Sequence, residues 1–204
     1  MRVPHTRHVL ARVKYLPVAG YIGAILLANW LISTFPPIVV WPLPELRAPA
    51  GVLAAGFVFS FRNLTQETLG RRFSVLAILV GAGLSWLITA NAQLGGPVGL
   101  AVASGAAFLL SELLDYAVYT PMRRRGWVRA MLASDLAGQI FDSLVFLLTA
   151  FGPGGLVFLA GQIVGKAWCT WVTVGAMVLA RRLVPGWEPR YAAATETSMD
   201  SGGT

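Results

Sequence analysis

Long apolar runs dominate this chain, and short polar segments that carry most of the charge separate them. A helix that crosses a bilayer needs about 20 mainly apolar residues. The second run is the weakest, because Arg62, Asn63 and Gln66 follow its short apolar part, so that it either continues as a polar-faced helix or breaks near Gly70. The pattern predicts an all-α integral membrane protein, a six-helix bundle. Its spans are Pro17–Phe35, Ala48–Phe61, Phe73–Thr89, Val98–Thr120, Val128–Phe151 and Leu156–Leu183.

The composition agrees with a membrane protein and excludes several other classes. Hydrophobic residues make up 56% of the 204 residues and charged residues 12%, whereas a soluble domain carries about 25% charged residues. This excess of apolar residues also excludes a disordered chain. The single cysteine, Cys169, excludes a disulfide framework and a zinc site built from several cysteines. We expect no metal ion and no cofactor.

The basic residues lie between the apolar runs, and their positions predict the orientation of the chain. The six spans leave 14 of the 16 lysines and arginines on one side of the membrane, which the positive-inside rule assigns to the cytoplasm. Topology therefore explains the net charge of +7, and we expect no nucleic-acid partner. We predict a cytoplasmic tail at 1–16, a membrane domain at 17–183 and a disordered cytoplasmic tail at 184–204. Both termini face the cytoplasm of a plasma or inner membrane.

Polar residues that are unusual for lipid recur inside the predicted spans. A charged side chain at the bilayer centre costs about 2.5–3.5 kcal/mol on insertion scales, so such groups face the interior of the bundle. Within a span they are three or four residues apart, which places them on one face of a helix. They are Asn29 in the first span, Glu112 and Asp115 in the fourth, Asp135, Gln139 and Asp142 in the fifth, and Gln162 and Lys166 in the sixth.

Packing alone explains some of these residues but not the whole set. A single Asn29 or Gln139 is explained as well by a hydrogen bond between helices. The four acids against Lys166 alone leave three negative charges uncompensated if all are ionised. Either a second cation joins them, for which Arg62 is the candidate, or some carboxyls are protonated because burial disfavours the charged form. We interpret the set as a substrate site and expect one cavity to collect Arg62, Gln66, Glu112, Asp115, Asp142, Gln162 and Lys166.

Several short motifs carry a family resemblance. They are Ala28-Asn29, then Arg62–Gln66 followed by Gly70, then Ser111–Asp115 followed by Tyr119, and finally Ser134-Asp135, Gly138, Asp142-Ser143 and Phe146 followed by Gln162 and Gly165-Lys166. These segments resemble the motifs R-[DN]-x-x-Q, S-E-x-x-D, S-N-x-x-G-x-x-x-D-S and Q-x-x-G-K of the queuosine-precursor transporter family, also called VUT. The resemblance extends over most of the predicted membrane region.

The resemblance implies a six-helix importer of 7-deazaguanine precursors of queuosine, namely preQ0 and preQ1. The chain departs from the family in two places, since Asp135 stands where Asn is usual and Asn63 stands where Asp is common. This departure indicates either an exchange of charge between helices or a different substrate preference. The substrate-binding residues that we predict are Asn29, Arg62, Asn63, Gln66, Glu112, Asp115, Asp135, Gln139, Asp142, Gln162 and Lys166.

The chemistry of a 7-deazaguanine suits these side chains. Its edge combines N–H donors with a carbonyl acceptor, carboxylates accept pairs of N–H bonds, and amides both donate and accept. Lys166 would donate to the carbonyl or neutralise a nearby carboxylate. Aromatic side chains would stack on the flat ring, and Trp168 and Trp171, close to Lys166 in the sequence, are candidates.

A secondary transporter that performs no covalent chemistry is the function we predict. One alternative is a substrate-binding subunit, like an S-component, of an energy-coupling-factor transporter, which would need a partner membrane subunit. A second is a membrane enzyme, but the sequence contains no H-E-x-x-H or G-x-S-x-G motif, and we expect that the chain is not an enzyme. Proton coupling is a further hypothesis, in which Glu112 and Asp115, like charges one turn apart, share a proton.

Overall fold

The computed structural model describes residues 15–91 and 98–183, and these residues form six long helices. The predicted tails at 1–16 and 184–204 lie outside the described residues except for Tyr15 and Leu16, and so does the segment 92–97. In chain order the helices are α1 Leu16–Thr34, α2 Val52–Leu69, α3 Arg71–Asn91, α4 Val98–Met122, α5 Trp127–Phe151 and α6 Leu159–Leu183. Each overlaps one of the six predicted apolar spans.

Short connections join these helices. The antiparallel hairpin of β1 (Ile38–Val39) and β2 (Arg47–Ala48) lies between α1 and α2. Two 3₁₀ segments, Arg123–Arg125 and Pro153–Phe158, lead into α5 and α6. The connection between α2 and α3 is Gly70 alone.

The second helix shows which of the two predicted courses the chain takes after Phe61. It continues through the polar residues to Leu69, and the N–H of Gly70 donates to the carbonyl oxygen of Gln66 at 3.0 Å. Gly70 has φ +89°, a backbone conformation that side chains with a Cβ rarely adopt, and α3 starts at the next residue. Arg62, Asn63 and Gln66 therefore lie on a continuous helix.

Four helical segments within the described residues are long and apolar enough to cross a membrane by length and composition: Leu16–Thr34, Arg71–Ile88, Trp127–Phe151 and Pro153–Ala180. α2 is less apolar because its second half carries Arg62, Asn63, Gln66 and Glu67. The fold is that of an all-α membrane protein whose chain passes through the bilayer several times.

Two glycines allow close packing in the middle of the bundle. A Cβ atom at Gly56 of α2 would lie 2.8 Å from the Cα of Lys166 on α6, so any larger residue would push these helices apart. A Cβ at Gly138 of α5 would lie 3.0 Å from the Cβ of Asp115 on α4. Small residues at helix contacts are typical of membrane bundles, and here they bring polar residues of neighbouring helices within reach of one another.

Apolar clusters close the two ends of this central region. At one end Tyr119, Trp127 and Met131 pack with Val174 and Met177 near the end of α6. At the other end Val40 and Ala48 of the hairpin pack against Val52. The buried polar residues of α2, α4, α5 and α6 lie between these clusters.

Candidate functional site

A cavity of about 110 Å³ lies among the helices, toward the end of the bundle that carries the hairpin. The residues that line it come from all six described helices and from the segment before α2. Its polar lining consists of Asn29, Ser85, Asp142, Gln162 and Lys166, and its aromatic lining consists of Phe59, Phe108 and Phe146. The cavity therefore combines hydrogen-bonding groups with flat apolar walls.

One ion pair supplies both charged groups of this cavity. The Lys166 Nζ lies 2.6 Å from Oδ2 of Asp142 and donates to Oγ of Ser143 at 2.8 Å. The Asp142 side chain is 18% exposed and the Lys166 side chain 1%. Ser111 also donates to Oδ1 of Asp142 at 3.4 Å, and Ser143 donates to Oε1 of Gln162 at 3.4 Å. The carboxylate is thus the more accessible partner, with the ammonium held behind it.

A second set of charged and polar side chains is fully buried beside the cavity. We call it the sealed cluster: Arg62, Asn63, Glu112, Asp115 and Asp135, each 0% exposed. Arg62 Nε donates to Oε2 of Glu112 at 3.2 Å, and its Nη2 forms an ion pair with Oδ2 of Asp115. Arg62 is therefore a second cation among the acids, the first of the two alternatives that the excess of acids left open.

Asn63 and Asp135, the two departures from the family motifs, contact each other directly. The Nδ2 of Asn63 donates to Oδ1 of Asp135 at 2.5 Å. The hydroxyls of Ser60 and Thr170 donate to Oδ2 of the same carboxylate at 2.8 and 2.7 Å. This contact supports the interpretation that the two residues exchange a charge between α2 and α5.

Two glutamines connect the sealed cluster to its surroundings. Gln66 accepts from Nη1 of Arg62 at 3.4 Å and donates to Oγ1 of Thr120 at 3.3 Å. Gln139 donates to Oγ1 of Thr170 at 3.0 Å and to the carbonyl oxygen of Lys166 at 3.5 Å. Neither amide is more than 1% exposed.

The structure separates the seven residues that we expected to share one cavity. Asp142, Gln162 and Lys166 line the cavity, whereas Arg62, Gln66, Glu112 and Asp115 are outside its lining and 0% exposed. Of the other predicted residues, Asn29 lines the cavity, and Asn63, Asp135 and Gln139 do not. The physical reason is pairing, because Arg62 and neutral donors contact these acids in the packed interior, although Oε1 of Glu112 has no partner among the described residues.

The aromatic walls differ from the sequence-based candidates. Trp168 and Trp171 are exposed and are not part of the cavity lining, and Nε1 of Trp168 donates to the carbonyl oxygen of Trp41 at 2.9 Å. Phenylalanines form the walls instead, and among them only Phe146 belongs to a motif that the sequence analysis identified. Ser85 of α3 was also missed, since nothing in its sequence context distinguishes it.

A further buried acid, which the sequence analysis did not identify, lies near the end of α2. Glu67 is 1% exposed, and its Oε1 accepts from the Tyr119 hydroxyl at 2.8 Å and from Nε of Arg123 at 2.5 Å. Its Oε2 accepts from Nη2 of Arg123 at 2.9 Å. The available signal was the spacing of Tyr119 and Arg123, four residues apart and therefore on one helix face.

A family model and a curated relative match this chain. A family model described as "Putative vitamin uptake transporter" matches residues 91–181. A curated relative from Escherichia coli (strain K12), named "Queuosine precursor transporter", is 29% identical over an alignment that covers 54% of this chain and 58% of that protein. The chain thus spans little more than half the length of this relative. No solved structure matches.

These matches agree with the motifs. The segments around Glu112, Asp142 and Lys166 lie within the residues matched by the family model, whereas the segment around Arg62 lies before them. Together with the apolar helices, the matches support a protein of the cell membrane that crosses it several times. The resemblance to the VUT family is therefore confirmed, and the chain is a multi-pass membrane protein related to that family of transporters.

Proposed function

We propose that this chain imports 7-deazaguanine precursors of queuosine, such as preQ0 and preQ1, as a secondary transporter. The observation that carries the proposal is the cavity among the helices, in which an acid, a lysine and two amides stand beside three phenylalanines. The E. coli relative is named a queuosine precursor transporter, and this name supplies the class of substrate. In this proposal the ligand crosses the membrane unchanged.

Each part of the cavity has a counterpart on a 7-deazaguanine. The partly exposed carboxylate of Asp142 accepts from the amino and ring N–H groups. The amides of Asn29 and Gln162 match the mixed edge of the base, and the phenylalanine rings stack on its faces. Lys166 donates to the ring carbonyl. Asp142 and Lys166 satisfy each other through their ion pair, and a ligand that carries donors and an acceptor replaces each partner.

Substrate contact and support are different roles in this proposal. We assign contact to Asn29, Asp142, Gln162 and Lys166, because these predicted residues line the cavity. The supporting residues have at most 1% exposure, and they are Arg62, Asn63, Gln66, Glu112, Asp115, Asp135 and Gln139. Their effect on the ligand is then indirect, through the positions of the helices.

Six crossings with both termini in the cytoplasm complete the proposal. α2, the shortest of the six described helices, has 18 residues, which at a rise of ~1.5 Å per residue span about 27 Å, close to the hydrocarbon core. The positive-inside rule orients the chain, because 13 of its 16 basic residues then lie toward the cytoplasmic side, and the other three are Arg47, Lys166 and Arg62, which is buried within α2. The cavity accordingly lies in the outer half of the bundle.

An accessibility experiment tests this orientation. Gly154, between α5 and α6, is exposed and has open space around it, so Gly154→Cys should be tolerated. A membrane-impermeant thiol reagent should label this variant from outside intact cells, and the parent, whose Cys169 is buried, serves as the control. Labelling that requires opened cells would overturn the orientation.

A binding experiment tests the substrate site. Purified protein should bind preQ0 or preQ1, and Asp142→Asn and Lys166→Met should each weaken binding about tenfold to a hundredfold, because each leaves a charged partner unmatched. Glu45→Gln, the same acid-to-amide change at an exposed position near the hairpin, is the matched control and should bind as the parent does. A folded parent that binds no 7-deazaguanine would refute the proposal.

Liposomes that contain only this chain separate the transporter from its alternative. Accumulation of the ligand would support a secondary transporter. Binding without any transport would instead favour a substrate-binding subunit that needs a partner complex.

Proton coupling through Glu112 and Asp115 stays a prediction. Arg62 contacts both carboxylates, but its single positive charge compensates only one of them, so these contacts leave room for a proton on the other. If the pair does carry the coupling proton, an inward proton gradient should drive accumulation in liposomes, and Glu112→Gln should abolish this dependence while binding persists. Accumulation that ignores the gradient would leave trapping by enzymes inside the cell as the driving force.

A further inference from the structure

The carboxylate of Asp135 is a buried anion held by neutral donors. It is 0% exposed, and it accepts from Asn63 and Ser60 on α2 and from Thr170 on α6 at 2.5, 2.8 and 2.7 Å. These bonds join three helices at one point. A carboxylate is the strongest acceptor that a side chain offers to such donors. The two carboxylate oxygens of Asp135 therefore hold α2, α5 and α6 together.

A chain of hydrogen bonds leads from this carboxylate to the backbone of Lys166, whose side chain is the cation of the cavity. Thr170 donates to Asp135 and accepts from Nε2 of Gln139 at 3.0 Å. The same Nε2 reaches the carbonyl oxygen of Lys166 at 3.5 Å. Lys166 and Thr170 are one turn apart on α6, so the bonds to Asp135 and Gln139 hold the turn that carries Lys166.

The packing around this turn leaves little room for adjustment. The Cα of Lys166 lies against Gly56 of α2, where even one added carbon would be 2.8 Å away. A shift of α6 relative to α2 would therefore move Nζ of Lys166 away from Asp142, with which it pairs at 2.6 Å. The geometry of the cavity depends on a bond network that does not line it.

We infer that Asn63 and Asp135 form a positioning pair, in which one carboxylate, supplied by either residue, holds the Lys166 turn in place without touching the substrate. The inference rests on the proposed function of the cavity. It accounts for the direct contact of 2.5 Å between the two residues. It also assigns them a role that differs from substrate contact.

Exchange of the two residues preserves the three bonds to position 135. With an amide at position 135, its oxygen accepts from Ser60 and Thr170, and its nitrogen donates to the carboxylate at position 63. The bonds that are lost run from Asn63 to Oγ of Ser134 at 3.2 Å and to Asp115 at 3.4 and 3.5 Å, and the carboxylate at position 63 then faces Asp115 across the two longer contacts. Asp115 keeps its ion pair with Arg62. Net charge is unchanged.

Single substitutions break the pairing in opposite ways. Asn63→Asp places two carboxylates at the present 2.5 Å contact, where like charges repel strongly. Asp135→Asn removes the charge and places the amide of residue 135 against that of Asn63. Asn63 can accept from this new amide only if its own amide rotates, and its nitrogen then points away from its other acceptors. We expect Asn63→Asp to disrupt the pairing more than Asp135→Asn does. The double variant, which combines the two substitutions, should restore the pairing.

The test measures affinity of the full-length protein for preQ0 and preQ1 in the parent, both single variants and the double variant. We expect Asn63→Asp to weaken binding by more than about tenfold, Asp135→Asn by less, and the double variant to return to within about threefold of the parent. A double variant that binds no better than the worse single variant would overturn the inference. Single variants that both bind with the affinity of the parent would also overturn the inference.

A readout that needs no ligand separates this inference from the proposed function. Lys14 and Lys166 are the two lysines of the sequence, and Lys166 is 1% exposed. The rate of reductive methylation of Lys166, relative to Lys14, should rise in Asn63→Asp and fall back in the double variant. If the parent binds no 7-deazaguanine but the rates follow this order, the pair stands and the proposed function fails. Unchanged rates in the single variants would refute the positioning role.

Discussion

The cavity and the sealed cluster contain the same kinds of side chain but differ in access. In the cavity Lys166 pairs with an acid whose side chain is 18% exposed, whereas in the sealed cluster Arg62 and both of its acids are 0% exposed. A lysine is a point charge on a flexible stem, while the fixed fork of an arginine holds two carboxylates at once. In the proposed function the accessible pair exchanges partners with a ligand, whereas the sealed cluster keeps its own.

Removal of Arg62 is expected to have the largest effect on stability. Arg62→Met should destabilise the folded protein by about 3–5 kcal/mol, because it leaves Glu112 and Asp115 buried without a cation. Thermal unfolding of the purified protein in detergent measures the effect. Arg72→Met, an exposed arginine on α3, is the matched control and should change the unfolding temperature little. Equal stability of the Arg62 variant and the parent would contradict a sealed ionic cluster.

A crossed comparison of two acids sharpens the contrast. Glu112→Gln should reduce stability by about 1–3 kcal/mol, since the buried fork of Arg62 loses a charged acceptor. Asp142→Asn should reduce stability less, because solvent in the cavity compensates, but it should reduce ligand affinity more. Unfolding temperatures and dissociation constants of both variants are needed. If the same variant shows the larger loss of both stability and ligand affinity, the two regions do not have separate roles.

Packing between the regions gives the next effect. Gly56→Ala should cost about 1–3 kcal/mol and also weaken ligand binding, because the added carbon meets Lys166 and Cys169. Gly83→Ala on α3 is the matched control, with nothing near the added carbon. Unfolding and binding measurements on the two alanine variants check this. A Gly56 variant with normal affinity would show that the α2–α6 contact does not shape the cavity.

The smallest effect is expected at Glu67, away from both regions. Glu67→Gln keeps an acceptor for the Tyr119 hydroxyl, and Arg123 is 22% exposed, so water replaces part of the lost ion pair. We expect a loss of about 1 kcal/mol in stability and an unchanged affinity for preQ0 and preQ1. A marked loss of affinity would extend the functional region to this end of the bundle.

The amino-acid sequence by itself determined the helices, their polar faces and the resemblance. Helix formation by the apolar runs and the spacing of Glu112 and Asp115 are local properties, so hydropathy and periodicity were enough to find them. The excess of acids also indicated either a second cation, for which Arg62 was the candidate, or protonated carboxyls. The course of α2 beyond Phe61 was open, because its polar half suits either a buried helix face or a break.

Only the tertiary structure decided which polar residues open to the cavity and which are sealed. Arg62 meets its acids 50 and more residues away along the chain, and Asn63 meets Asp135 across 72 residues. Glu112 and Asp142 have the same chemistry and similar sequence surroundings, yet one is enclosed by an arginine and the other borders open space. The exposure of a side chain depends on what other helices place beside it, and no local pattern contains that information.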